Sequence, residues 1–154
     1  MAFQQYPDSI AVIISDGAPY TIDLGGVTPD DNQQLAVYRV QLFKRGLQPT
    51  VRMRVNAYVA DVLQGESQEV LVSTIEGEYD ATDNFYGWVS FTFSPRFNLN
   101  AAAPTRFELE LTNYTYSENQ FMGVVLDWPV TMGFNTNPGA ASSAPVALEL
   151  YGAI

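Results

Sequence analysis

The chain has 154 residues, 47% of them hydrophobic, and a formal net charge of −10 at pH 7. That length and composition fit one globular domain with a sizeable core and do not fit a disordered chain. Cysteine and histidine are both missing, which excludes disulfides, thiolate metal sites and Ser-His or Cys-His catalysis within one chain, while the acidic balance disfavours nucleic acid and anionic membrane surfaces as partners.

The opening stretch "MAFQQYPDSI" has no basic segment followed by an apolar run, so no signal peptide is expected. No run approaches 18 apolar residues, so no membrane span is expected. Residues 1–9 read as an N-terminal arm. Phe3 and Tyr6 precede Pro7, and the arm is either a frayed terminus or a tie to a neighbouring protein through those two rings. Residues 10–154 read as a single domain.

Within that domain alternation dominates and no sustained helical period appears, which argues for strands. "SIAVIIS" and "YTIDL" are two early ones. "LAVYRVQLF" is a continuous apolar run, expected as a strand buried on both faces. "TVRMRVNAYV" alternates strictly: Val51, Met53, Val55, Ala57 and Val59 fall on one face, and Arg52, Arg54, Asn56 and Tyr58 on the other. "QEVLVSTI" is the next strand. "ATDNFYGWVSFTFSP" follows, with five aromatic rings in fifteen residues. Phe91 and Phe93 are in phase with Val89 and belong to a core. Trp88 is out of phase, and Phe85 and Tyr86 precede the strand. These three either cover an edge or join an interface, or they form a ligand platform. "RFELELTNY" puts Phe107, Leu109 and Leu111 inside and Glu108, Glu110 and Thr112 outside. "QFMGVVLDW" and "PVALELYG" complete the set, with the small-residue loop "NTNPGAASSAP" between them.

Turn signals separate these runs at Asp16-Gly17, Gly25-Gly26, Pro29-Asp30, Arg45-Gly46, Gln64-Gly65, Glu76-Gly77, Ser94-Pro95 and Ala103-Pro104. Eight or nine short strands with little room for helix predict an all-β fold, an antiparallel β-sandwich or jelly roll.

Residues 37 to about 128 resemble the jelly-roll modules of carbohydrate-binding and discoidin-like type, which also occur in phage virion proteins and bacterial surface proteins. The pattern is carried by Trp88-Val89-Ser90-Phe91-Thr92-Phe93, then Leu99-Asn100-Ala101, then Phe107, Leu109 and Leu111. The family's turn glycine is replaced by Ala103-Pro104. A free-standing copy resembles a small phage structural protein. That resemblance implies a non-enzymatic capsid decoration (cement) protein of a virion, made in the host cytoplasm. It would be a homotrimer, bound to the major capsid protein or another virion protein, with no cofactor. The alternative that the resemblance implies is a carbohydrate-binding module, with Tyr86, Trp88 or Tyr116 stacked on a sugar and Asp80 or Asp83 holding calcium.

The residues themselves offer few chemical constellations. Glu108 and Glu110 share one strand face, about 7 Å apart at the usual strand rise. They are a glycosidase-like carboxylate pair or, if the strands are neighbours, cross-strand partners of Arg52 and Arg54. Asp80, Asp83 and Asn84 form an oxygen-rich loop without the order of a calcium-binding loop. Of the seven cations, Arg39, Lys44, Arg45, Arg52 and Arg54 fall within sixteen residues. A hairpin at Gly46 is expected to gather them into a docking patch for an acidic partner, against the plainer reading of scattered ion pairs.

Overall fold

The computed structural model of the chain describes residues 9–14, 20–46, 50–74, 87–127 and 146–152. Ten strands run through them: β1 (Ser9–Ile13), β2 (Tyr20–Val27), β3 (Gln33–Arg45), β4 (Arg52–Val59), β5 (Val62–Glu66), β6 (Val70–Leu71), β7 (Gly87–Leu99), β8 (Thr105–Thr112), β9 (Phe121–Asp127) and β10 (Val146–Gly152). The helical content among the described residues is one 3₁₀ turn, Val72–Thr74. β1 starts at Ser9 and so reaches one residue into the expected arm.

The strands form two five-stranded sheets in which every pairing is antiparallel. In sheet 1, β3 is central. β7 lies along one side of it, β10 and then β9 follow each other along the other side, and β1 lies outside β9. In sheet 2, β2 pairs β8 and β8 pairs β4, with β5 and β6 in succession along the far side of β4. With β5 and β6 counted as one interrupted strand and β10 as an addition, the orders are β1-β9-β3-β7 over β2-β8-β4-β5/β6. That is the strand order of an eight-stranded jelly roll.

The core follows from the alternation. Val89, Phe91 and Phe93 point inwards from β7, and Trp88, Ser90 and Thr92 point out. Phe107, Leu109 and Leu111 on β8 and Met53, Val55 and Ala57 on β4 close the other side. Tyr38, Phe93, Phe97 and Phe107 form one aromatic cluster that joins the sheets, the Tyr38 and Phe107 centroids 4.7 Å apart. Each large apolar side chain buried in this way is worth about 1.5–3 kcal/mol. The rings of Phe91 and Phe93 are therefore sandwich interior.

Several local expectations are corrected. The run Leu35–Phe43 is not apolar on both faces: Leu35, Tyr38, Val40 and Leu42 face the core, whereas Arg39 and Gln41 lie half-buried on the outer face, where only Phe43 is fully covered. Asn56, on the outer face of sheet 2, is only 3% exposed: it lies between Glu108 of β8 and Glu66 of β5, and its Nδ2 donates to Glu110 at 3.4 Å. Gln64-Gly65 is not a turn. The chain reverses earlier, at Ala60 and Asp61, which both have positive φ (49° and 61°), and Gly65 sits inside β5 opposite Ala57. "QEVLVSTI" yields only the two-residue β6 before the 3₁₀ turn. Gly25-Gly26 lies inside β2 at a bulge, where Gly25 has φ 99° and its N–H donates to Asp23 Oδ1 at 2.9 Å.

Ser94-Pro95 is also internal to a strand. Val37 of β3 faces Thr92 and Leu35 faces Phe97, so residues 93–96 of β7 oppose the single residue Ala36. Proline is tolerated there because the bulge needs no ladder hydrogen bond from it. On the far side of β7, Gln68 donates its backbone N–H to the Thr92 carbonyl at 2.8 Å, and Ser67 exchanges hydrogen bonds with Val55. The β5–β6 link thus fastens the edge of sheet 2 to the edge of sheet 1.

Candidate functional site

The expected basic patch is divided by the topology. β3 ends in sheet 1 and β4 begins in sheet 2, so Gly46 does not sit in a hairpin that gathers the cations. Arg39 lies on the outer face of sheet 1, with Nε donating to Ser90 Oγ at 3.1 Å and a guanidinium nitrogen 3.8 Å from Glu149. Arg52 and Arg54 lie on the outer face of sheet 2. Lys44 and Arg45 stand at the end of β3 and make no ion pair among the described residues.

The outer face of sheet 2 is an ionic network. β4 and β8 are neighbours in a register that puts Arg54 opposite Glu110. Arg54 Nε donates to Glu110 Oε1 at 2.7 Å, and a second nitrogen reaches Glu66 at 2.6 Å. Burial alone would lower the Arg54 guanidinium, but the hydrogen bond and charge of Glu110, helped by Glu66 and Glu69, raise it above its ordinary value. The other two members pair differently from the expectation. Glu108 meets Arg106 at 3.2 Å and accepts from Tyr58, and Arg52 lies 4.0 Å from Glu69. Both carboxylates of the glycosidase-like pair are thus held by cations of their own sheet. Among the described residues no group of three or more carboxylates is placed to hold a metal ion.

The aromatic candidates are scattered. Trp88 opens β7 and is 51% exposed, opposite Gln41. Tyr116 is half-buried against the core, its ring 6.3 Å from that of Phe121. Phe3, Tyr6, Asp80, Asp83 and Tyr86 lie outside the described residues, as do Phe85 and Asn84.

A cleft of about 410 Å³ lies at the other end of β7, between that strand and the β4–β5 hairpin. Gln64 and Val59 line it from the hairpin, and Arg96, Phe97, Asn98 and Asn100 from β7 and the turn after it. The bulge at 93–96 turns Arg96 out of the ladder. Its guanidinium carbon sits 3.7 Å from the ring centroid of Tyr151, on β10. Tyr151 in turn donates its hydroxyl to Glu149 at 2.6 Å, which raises the phenol above its ordinary value through that hydrogen bond and the carboxylate's charge. Arg96 makes no ion pair or hydrogen bond among the described residues. A guanidinium stacked on a ring uses its face and keeps its edge of N–H donors free.

No protein-family model, curated protein or solved structure matches this chain. The likeness to carbohydrate-binding and discoidin-like modules therefore rests on the sequence pattern alone.

The sequence marked none of the cleft residues as a site: it put Val59 on a core face, Gln64 in a turn and Asn100 in a packing pattern. Asn and Gln carry no spacing signature, and Arg96 meets Tyr151 only because β7 and β10 flank β3 from opposite sides. The one available signal was Ser94-Pro95 inside an alternating run, which marks a bulge that re-aims the next side chain.

Proposed function

We propose that the chain is a non-enzymatic structural protein of a larger assembly. In its most concrete form it is a phage capsid decoration (cement) protein that works as a homotrimer in the virion. One observation supports this above the others. β5 and β6 form the far side of β4 with no strand paired beyond them among the described residues, the link between them being hydrogen-bonded to β7 at Thr92, and three of their apolar side chains stand in solvent: Val62 at 55%, Leu63 at 45% and Leu71 at 41% exposure. An open sheet edge is a template for pairing, and proteins that stay apart guard it with lysine, proline or inward charge. β5 (Val62–Glu66) has neither lysine nor proline, and its one charge, Glu66, faces outwards to Arg54. A neighbouring subunit that covers the edge removes the liability and stabilises the shell by mass action. Lys44 and Arg45 are the members of the basic set left to steer an acidic neighbour, and Phe3 and Tyr6 would tie the arm to it.

The test is solution mass by light scattering across protein concentration, with and without EDTA. The native chain is expected to be a trimer indifferent to EDTA, and a variant carrying V62K and L63K is expected to be a monomer. Both positions are exposed, so the variant should melt within a few degrees of the native chain. A native chain that is monomeric at every concentration overturns the reading.

A second reading, a carbohydrate-binding module, is favoured by the amide-lined cleft beside Arg96. It moves the sugar site from Tyr86, Trp88 and Tyr116 to the opposite end of β7.

A further inference from the structure

The cleft offers more free donors than acceptors. Asn98 Oδ1 accepts from Gln34 Nε2 at 3.5 Å, and Asn100 Oδ1 accepts from the Ala102 N–H at 2.7 Å. Each oxygen thus already accepts one hydrogen bond inside the protein. Each Nδ2 is left without a partner among the described residues, and so are the N–H groups of Arg96. Gln64 adds a further amide without a partner among the described residues. Such a set suits a ligand that offers many oxygen acceptors, at least one of them anionic: a planar guanidinium edge matches a carboxylate in two parallel hydrogen bonds. The Phe97 ring and Val59 supply apolar surface among these groups, which suits the C–H face of a sugar ring. The charge balance points the same way. In a chain of net charge −10, an anion is repelled from most of the surface, and Arg96, like Arg45, makes no ion pair among the described residues.

We propose that this cleft binds an acidic saccharide, a sugar residue bearing a carboxylate of the uronic acid type. Arg96 takes the carboxylate, the Nδ2 groups of Asn98 and Asn100 donate to hydroxyl or ring oxygens, and Phe97 lies against the ring. The inference rests on the carbohydrate-binding reading and adds the chemical class and the residues. Arg96 is pre-positioned by its stack on Tyr151, which Glu149 holds by hydrogen bond while itself pairing with Arg39. Little ordering is left to be done on binding.

The experiment is calorimetric titration of the full chain with three probes: tetragalacturonic acid, neutral cellotetraose and a tetraglutamate peptide. Two variants accompany it, R96Q and N98D. The second keeps an oxygen to accept from Gln34 and adds a negative charge beside the carboxylate site, so it should fold as the native chain does, which a thermal melt checks. Tetragalacturonic acid is expected to bind, with affinity falling about tenfold or more in each variant, as for loss of a charge-assisted hydrogen bond. Cellotetraose and tetraglutamate are expected to give little heat. Cellotetraose binding that is equal in the native chain and R96Q would overturn the acidic class and leave the carbohydrate reading standing. Tetraglutamate binding as tight as the acidic sugar would overturn the saccharide and point to a protein carboxylate. No heat from any probe overturns both the inference and the reading beneath it.

Discussion

Tyr38 fills the centre of the sandwich, fully buried, and its hydroxyl has no hydrogen-bond partner among the described residues. An unsatisfied buried hydroxyl is a cost that phenylalanine would remove without changing the ring stack on Phe107. Tyr38→Phe is therefore expected to be more stable by about 1 kcal/mol at neutral pH, read from urea unfolding. The same residue sets an alkaline limit. Burial first, and then the charge of Asp23, raises the Tyr38 phenol well above its ordinary value of 10.0. Between about pH 10, where an unfolded tyrosine ionises, and the higher folded value, the unfolded chain gives up a proton that the folded chain keeps. The stabilisation is complete below that window and lost as pH rises through it. Tyr114 shifts in the same direction through burial, with its hydroxyl donating to the Ile14 carbonyl and accepting from the Met122 N–H. Unfolding midpoints taken from pH 7 to 11 should fall more steeply in the native chain than in Tyr38→Phe. The position of Tyr38 inside an apolar run made its burial readable from the sequence. Its missing partner was not readable, because that depends on what the opposite sheet places above it.

The β4–β5 hairpin shows where element boundaries escape sequence reading. Glycine next to glutamine reads as a turn, yet the reversal uses Ala60 and Asp61, of which only the aspartate readily takes positive φ. Gly65 is needed for a different reason. A Cβ at that position would lie 2.6 Å from Phe97 Cδ2, so the glycine lets the β7 ring pass over β5 and frame the cleft. Gly65→Ala is expected to destabilise the chain by about 1–3 kcal/mol through overpacking. Phe97→Leu in the same chain should relieve most of that excess, and a double-mutant cycle by urea unfolding measures the relief. A penalty that is unchanged in the Phe97→Leu background would place its cause outside this contact. Strands with strict alternation, β4, β7 and β8, were legible because one face is core and the other is solvent. β5 was not, since its pattern is exposed almost throughout.

At the scale of the whole molecule, period-two patterning announces a sandwich, but it cannot order the strands. That order comes from pairings far apart in sequence, such as Arg54 with Glu110 across β4 and β8, or Leu35 with both Phe97 and Leu150. The candidate cleft depends on the same long-range order, which is why none of its side chains stood out beforehand. One strand lies outside the eight that a jelly roll requires. Among the described residues β10 pairs with β3 alone, from Val146 opposite Val40 to Gly152 opposite Gln33. Its Val146, Leu148 and Leu150 pack only partly against the core. The molecule is in this sense a body with one added stave. A synthetic peptide of residues 146–152 should re-enter the groove beside β3 of a chain shortened before that strand, and a fluorescent label on the peptide would report the docking. Such a pair would act as a self-locating tag, with the shortened chain as receptor and seven residues as the address.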